Sequence, residues 1–320
     1  MDVPSVPQPQ DNDNYLPPDA PSVGPTVNSN EMKKRAENDA VVNIFDEKTS
    51  ELVEAIFDDN LWAKNPANPY NWTSSAKWSQ ALIVCWYALV TSLASDMVAP
   101  GLPEIAERYH ITNSTVLALT LSIFLLAFMI GPLFSSPLSE LIGRRWILHV
   151  SSFLFIVFNL ACAWAPSTAS LIIFRAIAGL GGATPIAIGG GTMADVFPPQ
   201  ERAGALAIYS LGPLMGPVIG PIAGGFISET IGYRWVYIII SSFSLPAVIA
   251  GLFLTRETYH PVIRARLLRN LGAEEKVQEL SVRGYEGLTQ KQVLWLYFSR
   301  PIVLLTTNIT LLSLASFMAM

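Results

Sequence analysis

Residues 212–225 of the chain read GPLMGPVIGPIAGG, within a long apolar segment. Glycines recur every four residues, so on a helix they form a smooth stripe that another helix backbone can approach closely. Three prolines share this register, and each removes a backbone hydrogen bond and bends the helix. The pattern predicts a tightly packed pair of membrane helices. Its members are Gly212, Pro213, Gly216, Pro217, Gly220, Pro221, Gly224 and Gly225.

The rest of the chain has the composition of a protein that crosses a membrane several times. Of its 320 residues, 51% are hydrophobic and 14% are charged, whereas soluble domains carry about 25% charged residues. A hydrocarbon core of about 30 Å requires a helix of roughly 20 apolar residues. Seven such segments, numbered spans 1 to 7, are predicted at 79–100, 115–136, 146–165, 170–193, 204–227, 233–254 and 302–320.

Residue types that would support other protein classes are scattered. Cys85 and Cys162 both lie in apolar runs, which excludes a disulfide framework. The three histidines are far apart and lack metal-ligand spacing. No basic stripe suggests a nucleic-acid partner. We therefore expect a protein that is not an enzyme and that uses no metal or cofactor.

The distribution of positive charge predicts the orientation. With a cytosolic N-terminus, the cytosolic segments hold 17 Lys and Arg residues and the opposite loops hold 2, as the positive-inside rule requires. A seven-span receptor with its N-terminus outside would reverse this bias. We expect four regions: a disordered acidic cytosolic tail with an aromatic box before span 1 (1–78), a six-span bundle (79–254), a cytosolic linker with helical stretches (255–301) and the seventh span (302–320).

The loop after span 2 carries a compact group of charges, in the sequence PLSELIGRR at residues 137–145. Glu140, Arg144 and Arg145 could latch helix ends together through charge-assisted hydrogen bonds. Gly143 suits a turn that needs positive φ. The alternative is a pair of arginines that only sets the topology.

Two ionisable residues lie inside apolar spans. Arg175 is near the start of span 4, and an arginine in lipid costs at least about 2.5–3.5 kcal/mol unless it is paired or hydrated. A functional role is therefore the default expectation, with snorkelling to the interface as the alternative. Asp96 is near the outer end of span 1, where it either faces a cavity and exchanges a proton or lies in headgroup water.

These motifs resemble those of the major facilitator superfamily, in particular its fungal branch of twelve-span drug:proton antiporters. The loop at 137–145 resembles the family's cytoplasmic signature, although Glu140 stands at the Asp position and Leu141 replaces an arginine. Residues 212–225 resemble the antiporter motif, and the run that begins at Arg175 resembles the span-4 motif. Two further stretches resemble sequences of the fungal branch, one before span 1 (65–78) and one after span 6 (257–261).

The resemblance implies an all-α polytopic membrane protein, the N-terminal six-helix half of a major facilitator fold plus a seventh span. It implies proton-coupled export of drugs, polyamines or fungal secondary metabolites, energised by the proton gradient, with the substrate bound at the midplane between two halves. By the span-4 motif, proton coupling would fall to Arg175. The position of Asp96 inside span 1 makes it a second candidate, independently of the resemblance. A cytoplasmic gate would comprise Glu140, Gly143, Arg144, Arg145, Asp195 and Arg202, although solvated loop charge is an equal alternative for the last two.

The length departs from this resemblance, because family members carry twelve spans and this chain ends in the seventh. The alternatives to an exporter are therefore a truncated, transport-inactive fragment and a half-size transporter that acts as a dimer. The expected partners are the bilayer, protons, a small organic substrate, and either a second copy or a missing C-terminal half against which the glycine stripe would pack. We expect a plasma-membrane location and glycosylation at Asn113, the one sequon that would face outside.

Overall fold

Residues 48–282 and the single residues 299, 303 and 313 are described by a computed structural model of the chain. The chain divides into two units, Met1–Glu51 and Leu52–Met320, and of the first only residues 48–51 are described, within a helix. The expected disorder of residues 1–47, the linker stretch 283–298 and the seventh span at 302–320 lie outside the described residues, apart from the single positions 303 and 313.

Six helices in the described ranges are long and apolar enough to cross a membrane. They confirm the all-α class and the six predicted spans. Their bounds are Ser74–Asp96 (span 1), Ser114–Ile142 (span 2), Arg144–Ala163 (span 3), Thr168–Val196 (span 4), Pro199–Ile231 (span 5) and Tyr233–Leu254 (span 6). Most are longer than their apolar segments, because capped and polar first and last turns extend the helices beyond the hydrophobic windows. A 3-10 turn at Ala99–Gly101 and a short helix, Leu102–Arg108, follow span 1.

Single glycines connect two pairs of spans. Gly143 joins span 2 to span 3 with a φ of 107°, and Gly232 joins span 5 to span 6 with a φ of 95°. Because both angles lie in the region that a Cβ disfavours, only glycine adopts them at little cost. Polar side chains cap the first turns of spans 2 and 4: Asn113 Oδ1 accepts a hydrogen bond from Thr115 N at 2.8 Å, and Ser167 Oγ accepts one from Ser170 N at 3.2 Å.

The glycine stripe of span 5 packs against span 1. A Cβ at Gly212 would lie 2.6 Å from Cys85 O, and one at Gly220 would lie 2.9 Å from Asp96 Cβ. The expectation that this stripe draws its partner from a missing half is therefore wrong. The partner is span 1 of the same bundle. The glycines at every fourth position of span 5 have no side chains to keep the two backbones apart.

A serine on span 1 compensates for a proline of the same stripe. Pro217 has no N–H for the carbonyl four residues earlier, which belongs to Pro213. Ser92 Oγ donates a hydrogen bond to Pro213 O at 2.8 Å. The close approach of the two spans thus satisfies a carbonyl that would otherwise face an apolar interior.

The segment before span 1 is ordered where the structure describes it, so the expected disorder of the 1–78 tail is wrong for residues 48–64. These form helix over 48–57 and over Asp59–Lys64. The cause is burial of apolar side chains. Ile56 packs with Leu268 and Val277, which belong to the two helices that follow span 6, His260–Asn270 and Glu274–Val282. We refer to residues 52–72 as the strap.

Candidate functional site

Antiparallel spans bring four segments to one end of the bundle, which we call the N-terminal face. These are the strap, the turn between spans 2 and 3, the loop between spans 4 and 5, and the segment that follows span 6. Most of the sequence-predicted gate residues lie at this face, whereas Arg175 and Asp96 belong to the opposite half of the bundle.

Arg175 is completely buried, with 0% of its surface exposed. Its Nε donates to Thr120 O at 3.3 Å and its Nη1 donates to Ala94 O at 3.4 Å. The guanidinium also stacks over two aromatic rings, with centroid distances of 4.8 Å to Phe124 and 5.8 Å to Tyr237. The snorkelling alternative is therefore wrong, because the side chain turns into the bundle, where carbonyl oxygens and ring faces receive its charge.

No carboxylate of the described residues forms an ion pair with Arg175, and its Nη2 has no hydrogen-bond partner. Asp96 does not supply the missing partner. Its Cβ faces Gly220 on span 5, whereas the residue that accepts the Arg175 hydrogen bond is Ala94, two positions earlier on the same helix. Positions two apart on a helix do not share a face, so the structure does not bring Asp96 and Arg175 together.

Arg144 and Asp195 form the central ion pair of the N-terminal face. Arg144 Nε donates to Asp195 Oδ2, and its Nη2 lies 3.4 Å from Asp195 Oδ1. Both side chains are largely buried. The pair joins the start of span 3 to the end of span 4, so one arginine from the first predicted gate loop meets the carboxylate of the second.

Glu257 lies next to Arg144 and accepts four backbone hydrogen bonds. Two come from the first turn of span 3, from Arg144 N at 2.9 Å and Arg145 N at 3.2 Å. Two come from its own segment, from Thr258 N at 3.1 Å and Tyr259 N at 3.0 Å. A carboxylate at the positive end of a helix is well placed electrostatically. Gly143 leaves room for it, since a Cβ there would overlap the carboxylate.

The remaining predicted gate residues do not pair as expected. Glu140 makes no ion pair within the described chain. Arg145 donates through Nη2 to Leu252 O at 3.0 Å. Arg202 donates to Ala194 O at 3.2 Å and to Tyr70 Oη at 3.4 Å rather than to Asp195. The charges therefore interact with backbone carbonyls and with a strap residue, because Asp195 is already engaged by Arg144.

Four residues of this face were not identified as site residues from the sequence: Glu257, His260, Trp62 and Tyr70. Tyr70, Glu257 and His260 lie in the two stretches that were recognised only as typical of the fungal branch, and Trp62 lies three residues before the first of them. A signal was present, since a carboxylate directly after span 6 is expected on the same face as the Gly-Arg-Arg turn. The sequence did not reveal which of several carboxylates meets that turn.

A cavity of about 290 Å³ lies between spans 2, 3 and 4. Its lining is almost wholly apolar and includes Phe134, Leu138, Val150 and Leu154. None of the predicted site residues contributes to it, so the cavity is separate from both the Arg175 environment and the N-terminal face.

Comparison with known proteins gives consistent matches. The sequence model described as Major Facilitator Superfamily matches residues 84–320. An uncharacterized transporter of Schizosaccharomyces pombe is 42% identical over 256 residues, which cover 80% of this chain and 52% of that protein. The efflux pump vrtL of Penicillium aethiopicum is 37% identical over 265 residues, which cover 80% of this chain and 51% of the pump. The chain spans about half the length of the curated relatives it matches.

Solved structures share the fold at low sequence identity. The proton:xylose symporter XylE matches with a TM-score of 0.53 and 16% identity, over 76% of this chain and 57% of the symporter. A bacterial homologue of the human lysosomal transporter Spinster, in an inward-facing conformation, matches with a TM-score of 0.52 and 18% identity, over 63% of this chain and 50% of that one.

Proposed function

Because this chain belongs to the Major Facilitator Superfamily and is a multi-pass membrane protein, we propose that it serves proton-coupled export of small organic molecules. The relatives named efflux pumps support the direction of transport, as does the resemblance of residues 212–225 to the antiporter motif. The N-terminus is proposed to be cytosolic and the membrane to be the plasma membrane. The substrate class includes drugs, polyamines and fungal secondary metabolites.

The buried guanidinium of Arg175 is the observation that carries proton coupling. Arginine stays protonated in proteins, so Arg175 keeps a fixed positive charge inside the bundle. No carboxylate of the described residues is paired with it. Such a charge favours the ionised form of any carboxylate that approaches it and disfavours cationic groups. Proton release from an approaching acid and departure of a cationic substrate would then be linked through the same field.

The contacts at the N-terminal face would make the bundle move as one body. The Arg144–Asp195 ion pair and the Glu257 cap join spans 3 and 4 to the segment after span 6. In alternating access, one bundle rocks against another around a central substrate site. If the bundle is rigid, a displacement at the cytosolic face also displaces the binding site.

Liposomes that contain the purified chain provide the test. An imposed pH gradient would drive the exchange, and an internal pH-sensitive dye would report proton movement when a fluorescent organic cation, a polyamine or an aromatic polyketide is added. We expect proton flux that depends on substrate and that stops when an ionophore collapses the gradient. Folded, inserted chain that shows no substrate-dependent flux at any protein density would contradict the proposal and favour the inactive alternative.

The same assay distinguishes the dimer alternative. Flux that rises with the square of the number of chains per liposome would indicate that two copies form the transport unit. Flux proportional to the number of chains would indicate that one chain is sufficient.

A further inference from the structure

The strap is held on the N-terminal face by a small set of specific contacts. Asp59 accepts a hydrogen bond from Arg264 Nη1 at 2.6 Å. The Arg264 guanidinium lies over the ring of Trp62, 4.9 Å from its centroid. Trp62 is 2% exposed, although it lies outside every membrane span. Its burial anchors this part of the strap.

His260 connects this anchor to the end of span 4. Trp62 Nε1 donates a hydrogen bond to His260 Nδ1 at 3.2 Å. The other ring nitrogen, Nε2, lies 2.9 Å from the backbone carbonyl oxygen of Asp195. Tyr70 packs edge-on against the imidazole with a centroid distance of 4.9 Å. We call Trp62, Tyr70 and His260 the clasp.

The two hydrogen bonds allow only one form of the imidazole. An indole nitrogen only donates, so the nitrogen that faces it must carry a lone pair. A backbone carbonyl only accepts, so the nitrogen that faces it must carry the hydrogen. The clasp therefore requires neutral His260 with its hydrogen on Nε2.

We propose that His260 is a proton-binding site, and that uptake of a solvent proton at Nδ1 opens the clasp and loosens the strap. The added N–H at Nδ1 faces the N–H of Trp62, so one hydrogen bond is lost and two donors oppose each other. The bond from Nε2 to the Asp195 carbonyl remains. Histidine is the side chain that ordinarily changes charge between pH 5 and 8.

The two aspartates nearest the clasp are already engaged by arginines. Asp195 is paired with Arg144, and Asp59 is paired with Arg264. The neighbouring groups on all packed elements are Asp59 and Tyr70 of the strap, Asp195 of span 4, Arg202 of span 5, Arg144 of span 3, and Glu257 and Arg264 beside His260. A positive imidazole is attracted to Asp195, but its Nε2 bonds to the backbone carbonyl of that residue and not to the carboxylate. Protonation therefore costs the Trp62 hydrogen bond without forming an ion pair, which weakens the clasp.

Opening of the clasp has a defined structural consequence. Residue 72 leads directly into span 1, and His260 follows span 6 after a short turn, so the clasp fixes the approach to span 1 relative to the end of span 4. None of these contacts depends on whether the chain transports a substrate. If the N-terminus is cytosolic, the clasp responds to cytosolic pH.

Hydrogen–deuterium exchange of the backbone amides of residues 58–72 tests the proposal on the intact chain in lipid nanodiscs. His260→Gln is the key variant, because its amide oxygen can accept from Trp62 while its NH₂ donates to the carbonyl, without titrating. The substitution lies outside the peptide, so the ratio of wild-type to variant exchange at each pH cancels the intrinsic pH dependence of amide exchange.

We expect this ratio to be close to one at pH 8 and to rise to about fivefold at pH 5.5, the effect of losing one hydrogen bond. His110→Asn, at an exposed histidine of the opposite face, should behave as wild type. Trp62→Phe, which lacks the indole N–H, should exchange rapidly at both pH values and lose most of the pH response. A ratio that stays at one across this range, or increased protection of the strap at pH 5.5, would overturn the proposal.

Discussion

Glu257 holds its position through four backbone hydrogen bonds rather than through a charged partner side chain. Both of its oxygens serve the first turn of span 3, so its charge meets the exposed N–H groups and the positive end of the helix dipole. Hydrogen bonds to a charged group contribute about 1.5–3 kcal/mol each, more than neutral ones. The residue therefore acts as a structural anion of this face.

Glu257→Gln should lower the stability of the bundle by about 1–3 kcal/mol, because an amide has one acceptor oxygen and turns an NH₂ group toward backbone donors. Thermal unfolding in detergent, followed by the accessibility of a buried thiol such as Cys162, would measure the change. Glu140→Gln is the matched control, since Glu140 makes no ion pair in the described part of the chain. Equal effects of the two substitutions would show that the cap is not specific.

Arg175 offers a residue-scale test of coupling that separates charge from shape. Arg175→Ala should insert and fold but show no substrate-dependent proton flux, because the fixed charge is lost. Arg175→Lys keeps a positive charge that can be lost in an apolar site, so residual flux should fall as pH rises. Arg108→Ala serves as the control, because Arg108 is an exposed arginine at the end of the bundle opposite to the N-terminal face. Normal flux in Arg175→Ala would leave this arginine with a structural role only.

At the scale of elements, the contact between spans 1 and 5 is set by the absence of side chains. The glycines of the stripe allow the span 5 backbone to lie against Cys85, Ser92 and Met97. Small residues at such contacts let helices in lipid gain packing and hydrogen bonds where no hydrophobic effect draws them together. Gly212 and Gly204 lie on the same helix, but only Gly212 closely contacts span 1. Substitution of each by alanine therefore gives a matched test.

Gly212→Ala should destabilise the bundle by about 1–3 kcal/mol, because the new Cβ would lie 2.6 Å from Cys85 O and the backbones would have to separate. Gly204→Ala lies in the same helix and meets no atom within 4 Å, so it should stabilise the helix by about 0.5–1 kcal/mol. Thermal unfolding of both variants in one detergent would compare them. Destabilisation by both, to the same extent, would point to a general intolerance of span 5.

The elements were predictable from the sequence to a greater degree than their contacts. Hydropathy located all six described spans, since a run of about 20 apolar residues has few other uses. The partner of Asp195 was not predictable, because Arg144, Arg145 and Arg202 were all candidates on one face. The ordered strap was missed for a related reason. Its few apolar residues become ordered only against helices that lie about 200 positions later in the chain.

At the scale of the whole molecule, the two glycine turns reveal an internal repeat. Residues 142–146 read IGRRW and residues 231–235 read IGYRW. In each turn a distant glutamate caps the helix that follows: Glu257 serves Arg144 N, and Glu104 accepts from Tyr233 N at 2.6 Å. The two turns lie at opposite faces, as expected for a pair of three-helix units of inverted topology within one six-span half.

Glycosylation provides a test of orientation for the whole chain. Asn113 is exposed at the start of span 2 and caps that helix, whereas Asn71 lies on the N-terminal face. With a cytosolic N-terminus, expression in a eukaryotic host should give a glycosidase-sensitive gel shift of partial occupancy that disappears in Asn113→Gln. Asn71→Gln is the control and should leave the shift intact. A shift that depends on Asn71 instead would place the N-terminus outside.

The Glu257 cap also has a consequence for the timing of synthesis. Glu257 is 113 residues later in the chain than Arg144, and its carboxylate accepts a hydrogen bond from the backbone N–H of Arg144. Ribosomes add about 5–20 residues per second. Glu257 is therefore synthesised roughly 6–23 s after Arg144, when all six spans have been made. During that interval the first turn of span 3 lacks the carboxylate that accepts its N–H groups in the folded bundle. Late arrival of this one carboxylate thus marks the moment at which the nascent bundle is complete.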